Sequence, residues 1–262
     1  MLAVEVAGNG DPVVFLHAGV CDRRMWRAQL DGVGANSKAV AYDRRGCGET
    51  RAEKEDFSAV ADLMAVIDAA ADGKTAILVG CSEGGRIALD AVLKHPSCFR
   101  GLVLIAPSVS GAPEAAYPPE IKDVMAQLKE AQATGDLDQM IAIKARLWLD
   151  GPLAPEGRVT GRARELFHDM NAMALRLPPA GSNIDLAPAY QRLGEILAPS
   201  LIIQGDLDFP HIQERSRHIA MTVLNGSHHE LAGAAHLPNL DPVCEVMVRP
   251  TACGLGGRRG GS

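Results

Sequence analysis

Short apolar runs and amphipathic stretches alternate along this chain. Pro12-Val-Val-Phe-Leu-His17 is continuously apolar up to its histidine and too short for a helix, which predicts a strand buried on both faces. Lys38 to Tyr42, Thr75 to Val79, Gly101 to Ala106 and Pro199 to Gln204 read as strands of the same kind. Leu2 to Val6 alternates loosely, as an edge strand does, before a turn at Gly8-Asn9-Gly10-Asp11-Pro12, and a last strand is expected within 222 to 232. Between these runs the period changes to that of a helix. Asp56 to Ala71 places Val60, Leu63, Met64 and Ile67 on one stripe, Arg86 to Lys94 carries Ile87, Leu89, Ala91 and Leu93, and a helix opening at Pro210 runs to Ala220 or Met221. Strands alternating with helices predict a mostly parallel sheet with right-handed crossovers and helices on its flanks, an α/β fold.

The rhythm breaks between Gly111 and Glu195. Helical segments near 119 to 133, 136 to 149, 157 to 175 and 186 to 196 follow one another without strands, punctuated by Pro118-Pro119 and Pro178-Pro179. Residues 111–195 are therefore expected to form a helical cap on a core made of 1–110 and 196–249. The stripe Met140, Ile143, Leu147 and Trp148 reads mainly as core, with Trp148 also weighed as a substrate contact. Near the end, Asp241 to Arg249 can start a helix, with Val243, Val246 and Met247 on one side, before Pro250 stops it. Residues 250–262, with five glycines and two arginines, are expected to form a disordered tail, and the shortened ending predicts reduced stability.

Composition narrows the picture. Aromatic residues make up only 4% of the 262 positions, so the core must be built from Leu, Val, Ile and Ala. A net charge of −6 disfavours nucleic acid and anionic membranes as partners. No apolar run reaches the length of a membrane span, and Met1 to Gly10 lacks the pattern of a signal peptide. The six cysteines are scattered without a C-x-x-C pair, which suits reduced thiols in cytoplasm. Neither they nor the eight histidines have the spacing of a metal site, and His228-His229 reads as surface or strand edge. No metal or organic cofactor is expected.

The chemistry gathers where the strands end, the place where ligands bind in open α/β sheets. Gly80-Cys81-Ser82-Glu83-Gly84 is a G-x-S-x-G turn between a strand and a helix, whose small flanking residues let the serine project its hydroxyl from a strained bend. His17-Ala18-Gly19-Val20 closes the first buried strand, with Trp26 nine residues beyond the histidine. Asp43-Arg44-Arg45-Gly46-Cys47-Gly48 closes the second, Gly205-Asp206-Leu207-Asp208 the fifth, and Gly233-Ala234-Ala235-His236 follows the last strand.

Taken together and in their order along the chain, these signatures resemble the α/β-hydrolase superfamily over roughly residues 12 to 241, most nearly its small esterase, enol-lactonase and haloperoxidase-like members. The resemblance implies Ser82 as nucleophile, Asp208 as acid in preference to Asp206, and His236 as base. It implies an oxyanion hole of backbone N–H groups from Glu83 and Gly19, with Val20 as the alternative donor because Ala18 replaces the usual glycine. His17, Asp43, Arg44 and Arg45 are read as bracing the loops, Trp26 as anchoring the oxyanion loop, and Cys81 as a small buried side chain. Glu83 would oppose a developing anion unless its carboxylate turned towards a cation or solvent. The activity implied is hydrolysis of a small carboxylic ester or lactone through an acyl-enzyme. A perhydrolase, a C–C lyase or hydrolase, and an impaired binding member are the alternatives.

Overall fold

The computed structural model describes residues 1–185 and 187–241. The apolar runs become β1 (Val4–Ala7), β2 (Pro12–Leu16), β3 (Lys38–Tyr42), β4 (Ala76–Cys81), β5 (Phe99–Ile105), β6 (Ser200–Gly205) and β7 (Gly226–Leu231). They form one sheet in the order β1-β3-β2-β4-β5-β6-β7. β1 pairs antiparallel with β3 at one edge, and the remaining pairs among the described residues are parallel. The strongly apolar strands occupy the middle because parallel strands covered on both faces meet no water. In β2 all five residues are buried. Successive side chains point to opposite faces, so the same strand feeds two cores. Val13 and Phe15 join Ala41, Val79 and Cys81 on one face, while Val14 and Leu16 join Tyr42 and Leu78 on the other.

Helices cover both faces. The second core receives Leu63 and Ile67 from α2 (Ala59–Ala70) and Ile87 and Leu89 from α3 (Glu83–Lys94), whereas Leu30 of α1 (Arg27–Gly34) enters the first. α2 starts three residues later than its pattern suggests because Ser58 caps it, accepting from Ala61 N at 3.0 Å. β7 leaves His228 and His229 exposed at the sheet edge.

Between β5 and β6 the chain makes α4 (Pro119–Thr134), α5 (Leu137–Lys144), a π-helical turn (Ala145–Asp150), α6 (Arg162–Arg176) and the short α7 (Ala189–Arg192). No strand lies in this stretch among the described residues, although Asn183 forms an isolated bridge with Phe57. Three boundaries differ from the sequence pattern. The helix expected over 136–149 widens into the π turn at Ala145. The one expected from 157 begins only at Arg162, since Gly157 and Gly161 take φ of 79° and 64°, outside helical space. The one expected over 186–196 contracts to α7 followed by a 3-10 turn at Leu193–Glu195. Ile121, Val124, Met140, Leu147 and Phe167 pack into the first core with Phe15 and Cys81, so the excursion shares the sheet's own interior.

Arg158 ties the excursion to the other end of the chain. Its guanidinium donates to Asp150 O at 2.8 Å, Leu149 O at 3.1 Å, Gly233 O at 2.9 Å and Asp241 Oδ2 at 2.7 Å. The helix and tail expected after Asp241 lie outside the described residues.

Candidate active site

Ser82 stands between the last residue of β4 and the first of α3, with φ 52° and ψ −112°. That backbone is strained for a residue with a side chain and is held by its neighbours. Ser82 N donates to Ile105 O at 2.9 Å, and Ser108 N donates to Ser82 O at 3.1 Å. The flanking glycines are required by contact: a Cβ on Gly80 would lie 2.5 Å from Gly84 O, and one on Gly84 2.2 Å from Leu16 O. The turn therefore closes only because strand, elbow and helix touch backbone to backbone.

Asp208 and His236 come together beyond β6 and β7. His236 Nδ1 lies 2.9 and 3.0 Å from the two carboxylate oxygens, and both residues are buried. The carboxylate places the ring proton on Nδ1, which leaves the lone pair on Nε2. Asp208 is itself fixed, since Phe209 N donates to Oδ1 at 2.7 Å. Asp206, the alternative acid, is occupied elsewhere: its Oδ1 accepts from Gly233 N at 2.7 Å and so shapes the loop that carries His236. Cys81 Sγ meets His236 O at 3.8 Å, which links the end of β4 to that loop, and burial pushes this thiol far up and keeps it protonated. The Ser82 hydroxyl makes no capping bond to α3 and none to His236.

The loop after β2 lies against the start of α3. A Cβ on Gly19 would be 3.7 Å from Glu83 Cβ. Ala18 has a negative φ and is fully buried, so alanine replaces glycine there without backbone strain. His17 braces the loop, its Nδ1 facing Ala18 O at 2.8 Å while its Nε2 accepts from Arg44 N at 3.1 Å. Burial, reinforced by Arg44, pulls its pKa well down and keeps the ring neutral. Val20 O accepts from Asn171 Nδ2 at 2.9 Å, a tie from α6. Trp26 sits in the core 5.3 Å from the Phe15 ring, while Met25 Sδ makes the direct contact with the loop at Ala18 N.

Glu83 turns to a cation. Arg86 donates to its Oε1 at 2.7 and 3.1 Å, and although burial works against the charged form, Arg86 outweighs it and holds the carboxyl below the usual range. Asp43 accepts from the backbone of Arg23 and Glu49 and from the Arg23 guanidinium. Arg45 grips Asp62 through two nitrogens and lies 5.3 Å above the Phe57 ring.

Sequence reasoning missed an aromatic wall. The Phe209 ring stands 6.2 Å from His236, edge-on, 5.9 Å from Trp148 and 6.1 Å from Tyr117. His211 joins it, 5.1 Å from Tyr117, and burial lowers its pKa to about 4. The signal that was present is position: Phe209 directly follows Asp208 and opens α8 (Pro210–Thr222). Trp148 reaches the site through Phe209. Among the described residues no group of three His, Cys, Asp or Glu side chains could hold a metal, and no helix is long and apolar enough to cross a membrane.

Comparison with known proteins gives a consistent result. A family model described as "Alpha/beta hydrolase family" matches residues 13–247. The chain is 26% identical to an AB hydrolase superfamily protein, YisY, of Bacillus subtilis over 79% of its length and 78% of the relative's. It is also 26% identical to a 2-(acetamidomethylene)succinate hydrolase of Mesorhizobium japonicum, over 78% of this chain and 74% of that one. Among solved structures, a thermophilic esterase from Thermogutta terrifontis superposes with a TM-score of 0.72 at 23% identity, covering 94% of this chain and 90% of the other. MenH from S. aureus gives 0.72 at 19%, covering 93% and 94%.

Proposed function

Since the chain belongs to the alpha/beta hydrolase family, and is an enzyme of that fold, we propose that it is a serine hydrolase cleaving a small carboxylic ester or lactone through an acyl-enzyme. One juxtaposition carries the reading. Ser82 projects from a strained elbow at the C-terminal end of β4, and the hydrogen-bonded Asp208–His236 pair sits on the loops that follow β6 and β7 at the same end of the sheet.

In this reading Ser82 Oγ attacks the ester carbonyl carbon while His236 Nε2 takes its proton. The tetrahedral oxyanion receives hydrogen bonds from Glu83 N–H and from Gly19 or Val20 N–H, and the adjacency of Gly19 to Glu83 supports that placement. His236 then returns the proton to the leaving alkoxide, and an acyl-serine remains. Water, deprotonated by the same imidazole, hydrolyses the acyl-serine and restores the hydroxyl. Asp208 holds the tautomer and stabilises the imidazolium. Catalytic hydrogen bonds are often long before substrate binds, so Ser82 and His236 need only close a gap when the acyl group enters. The helices between β5 and β6, residues 111–195, act as the cap, and its Trp148 packs on Phe209, at the start of α8, to form the apolar side of the site.

The test is labelling by a fluorophosphonate, followed by hydrolysis of a short-chain p-nitrophenyl ester. Labelling confined to Ser82, lost together with turnover in Ser82→Ala, is the expected result. Full labelling and turnover in that variant would end the proposal.

A further inference from the structure

Glu83 follows Ser82 directly, so the residue whose N–H would meet an oxyanion also carries a carboxylate. Its oxygens lie within roughly 6 Å of its own backbone nitrogen, and an uncompensated like charge at that range slows formation of an oxyanion by about tenfold or more. Arg86, one turn on, donates to Glu83 Oε1 through Nε at 3.1 Å and Nη2 at 2.7 Å, and its other terminal nitrogen donates to Asp90 Oδ2 at 2.7 Å. The Asp90 side chain is 1% exposed and is fixed in turn by Ser110 Oγ, which donates to its Oδ1 at 2.9 Å and accepts from Ala189 N at 3.3 Å. A planar guanidinium gripped by carboxylates on two edges has little freedom to swing.

We propose that Arg86 is a positioning residue for the oxyanion: it clamps and neutralises the Glu83 carboxylate, while the Asp90–Ser110 arm anchors the clamp to the start of α7. The inference rests on the acyl-transfer reading, which gives Glu83 N–H to the oxyanion. The other groups around the carboxylate do not replace Arg86. Arg44 acts on Glu83 from the loop after β3 with no hydrogen bond between them, and Cys47 shares that loop. Tyr42, Arg45 and Asp62 line the same small cavity, where Arg45 is engaged by Asp62 at 2.8 and 3.1 Å, and Asp185 acts on Arg86 and Asp90. Burial works against the charged carboxylate, so once Arg86 is removed its pKa rises and the charge it presents to an oxyanion depends on pH.

The experiment measures kcat and KM of the full chain for a short-chain p-nitrophenyl ester between about pH 6 and 8.5. Arg86→Met should lower kcat about tenfold at the alkaline end with KM little changed, because the penalty falls on the transition state alone. The wild-type-to-variant ratio of kcat should shrink towards the acid end as the released carboxyl takes up a proton, a comparison in which the titration of His236 cancels. Adding Glu83→Gln to Arg86→Met should regain most of the lost rate and flatten that ratio, while the unfolding midpoint stays low because Asp90 still lacks its cation. Arg86→Lys, which keeps the charge but not the fork, should fall between. Should Arg86→Met not fold, Glu83→Asp asks the same question with the Arg86–Asp90 pair intact: its shorter carboxylate loses Arg86, so at alkaline pH it should be slower than Glu83→Gln, with the gap closing as pH falls. A double variant as slow as Arg86→Met, a ratio that does not move with pH, or equal rates in Glu83→Asp and Glu83→Gln overturns the proposal and leaves Ser82 labelling and turnover untouched. A wild type that takes no fluorophosphonate and hydrolyses no ester removes the acyl-transfer reading and this one together.

Discussion

Replacing Arg158 by methionine keeps most of the stem and deletes the four hydrogen bonds that join the helical excursion to the loop before His236. The side chain is 18% exposed, and its partner Asp241 is buried. Bonds from a charged donor contribute about 1.5 to 3 kcal/mol each, but they share one side chain and are not additive. Breaking a buried ion pair by removing one member costs about 3 to 5 kcal/mol. Because the guanidinium edge reaches water and the freed carbonyls can be rehydrated, we expect about 3 to 4 kcal/mol. At 2 to 4 °C per kcal/mol for a chain of this size, the unfolding midpoint should fall by about 6 to 16 °C. Circular dichroism during heating measures this, with Arg158→Lys falling between the two because it keeps the charge but not the fork. Gly233 lies three residues before His236, so ester turnover, measured well below both midpoints, should drop about tenfold or more as the loop loses its tether. A midpoint within 2 °C of wild type would show that the guanidinium bridge contributes nothing net, and the reasoning would fail.

Asp208→Asn should lower kcat for a p-nitrophenyl ester by about 10³ to 10⁴, whereas Asp206→Asn should cost less than about tenfold, because only the first residue orients the imidazole; equal losses would contradict this assignment. Gly84→Ala drives a Cβ into Leu16 O and should destabilise by more than about 3 kcal/mol in urea, or prevent folding, and a variant of wild-type stability would show that the elbow yields. His211 makes folding sensitive to acid. Its folded-state pKa of about 4 lies below the free value of 6.5, so as pH falls the unfolded chain takes up the proton first and stability is lost between those values. Discounted for its partial exposure, the loss is about 1 to 2 kcal/mol, and His211→Phe should flatten urea stability between pH 7 and 4.5 by that amount.

Much of the architecture was legible because its causes are local. Five apolar runs lie on parallel strands because only a doubly covered strand tolerates so few polar residues, and Pro210 marks the start of α8 because its ring presets the first turn. The elbow was legible for a similar reason: glycines at 80 and 84 answer a contact between elements adjacent in sequence. Long-range partners were not. Nothing near Glu83 in the alternation of polar and apolar positions says that Arg86, one turn on, would claim its carboxylate rather than solvent, though the spacing permits it. That Arg158 would reach Gly233, or that Asn183 would lie over Phe57, depends on how the excursion folds back, which no local period encodes. The aromatic wall was hidden for the same reason. Tyr117, Trp148 and Phe209 are scattered over some ninety positions and meet only after the excursion has docked.

β5 and β6 are direct neighbours, paired from Leu102↔Ser200 to Ile105↔Ile203, although nearly a hundred positions separate them in the chain. The ladder is thus indifferent to how long the detour between them is, and lengthening such a detour adds only a logarithmic entropic penalty. Ser82 precedes the detour, and Asp208 and His236 both follow it. If the proposed acyl transfer holds, grafts that exchange the detour wholesale should re-tailor which acyl groups are admitted while Ser82, Asp208 and His236 keep their mountings, provided the new segment still offers a donor to Gly233 O.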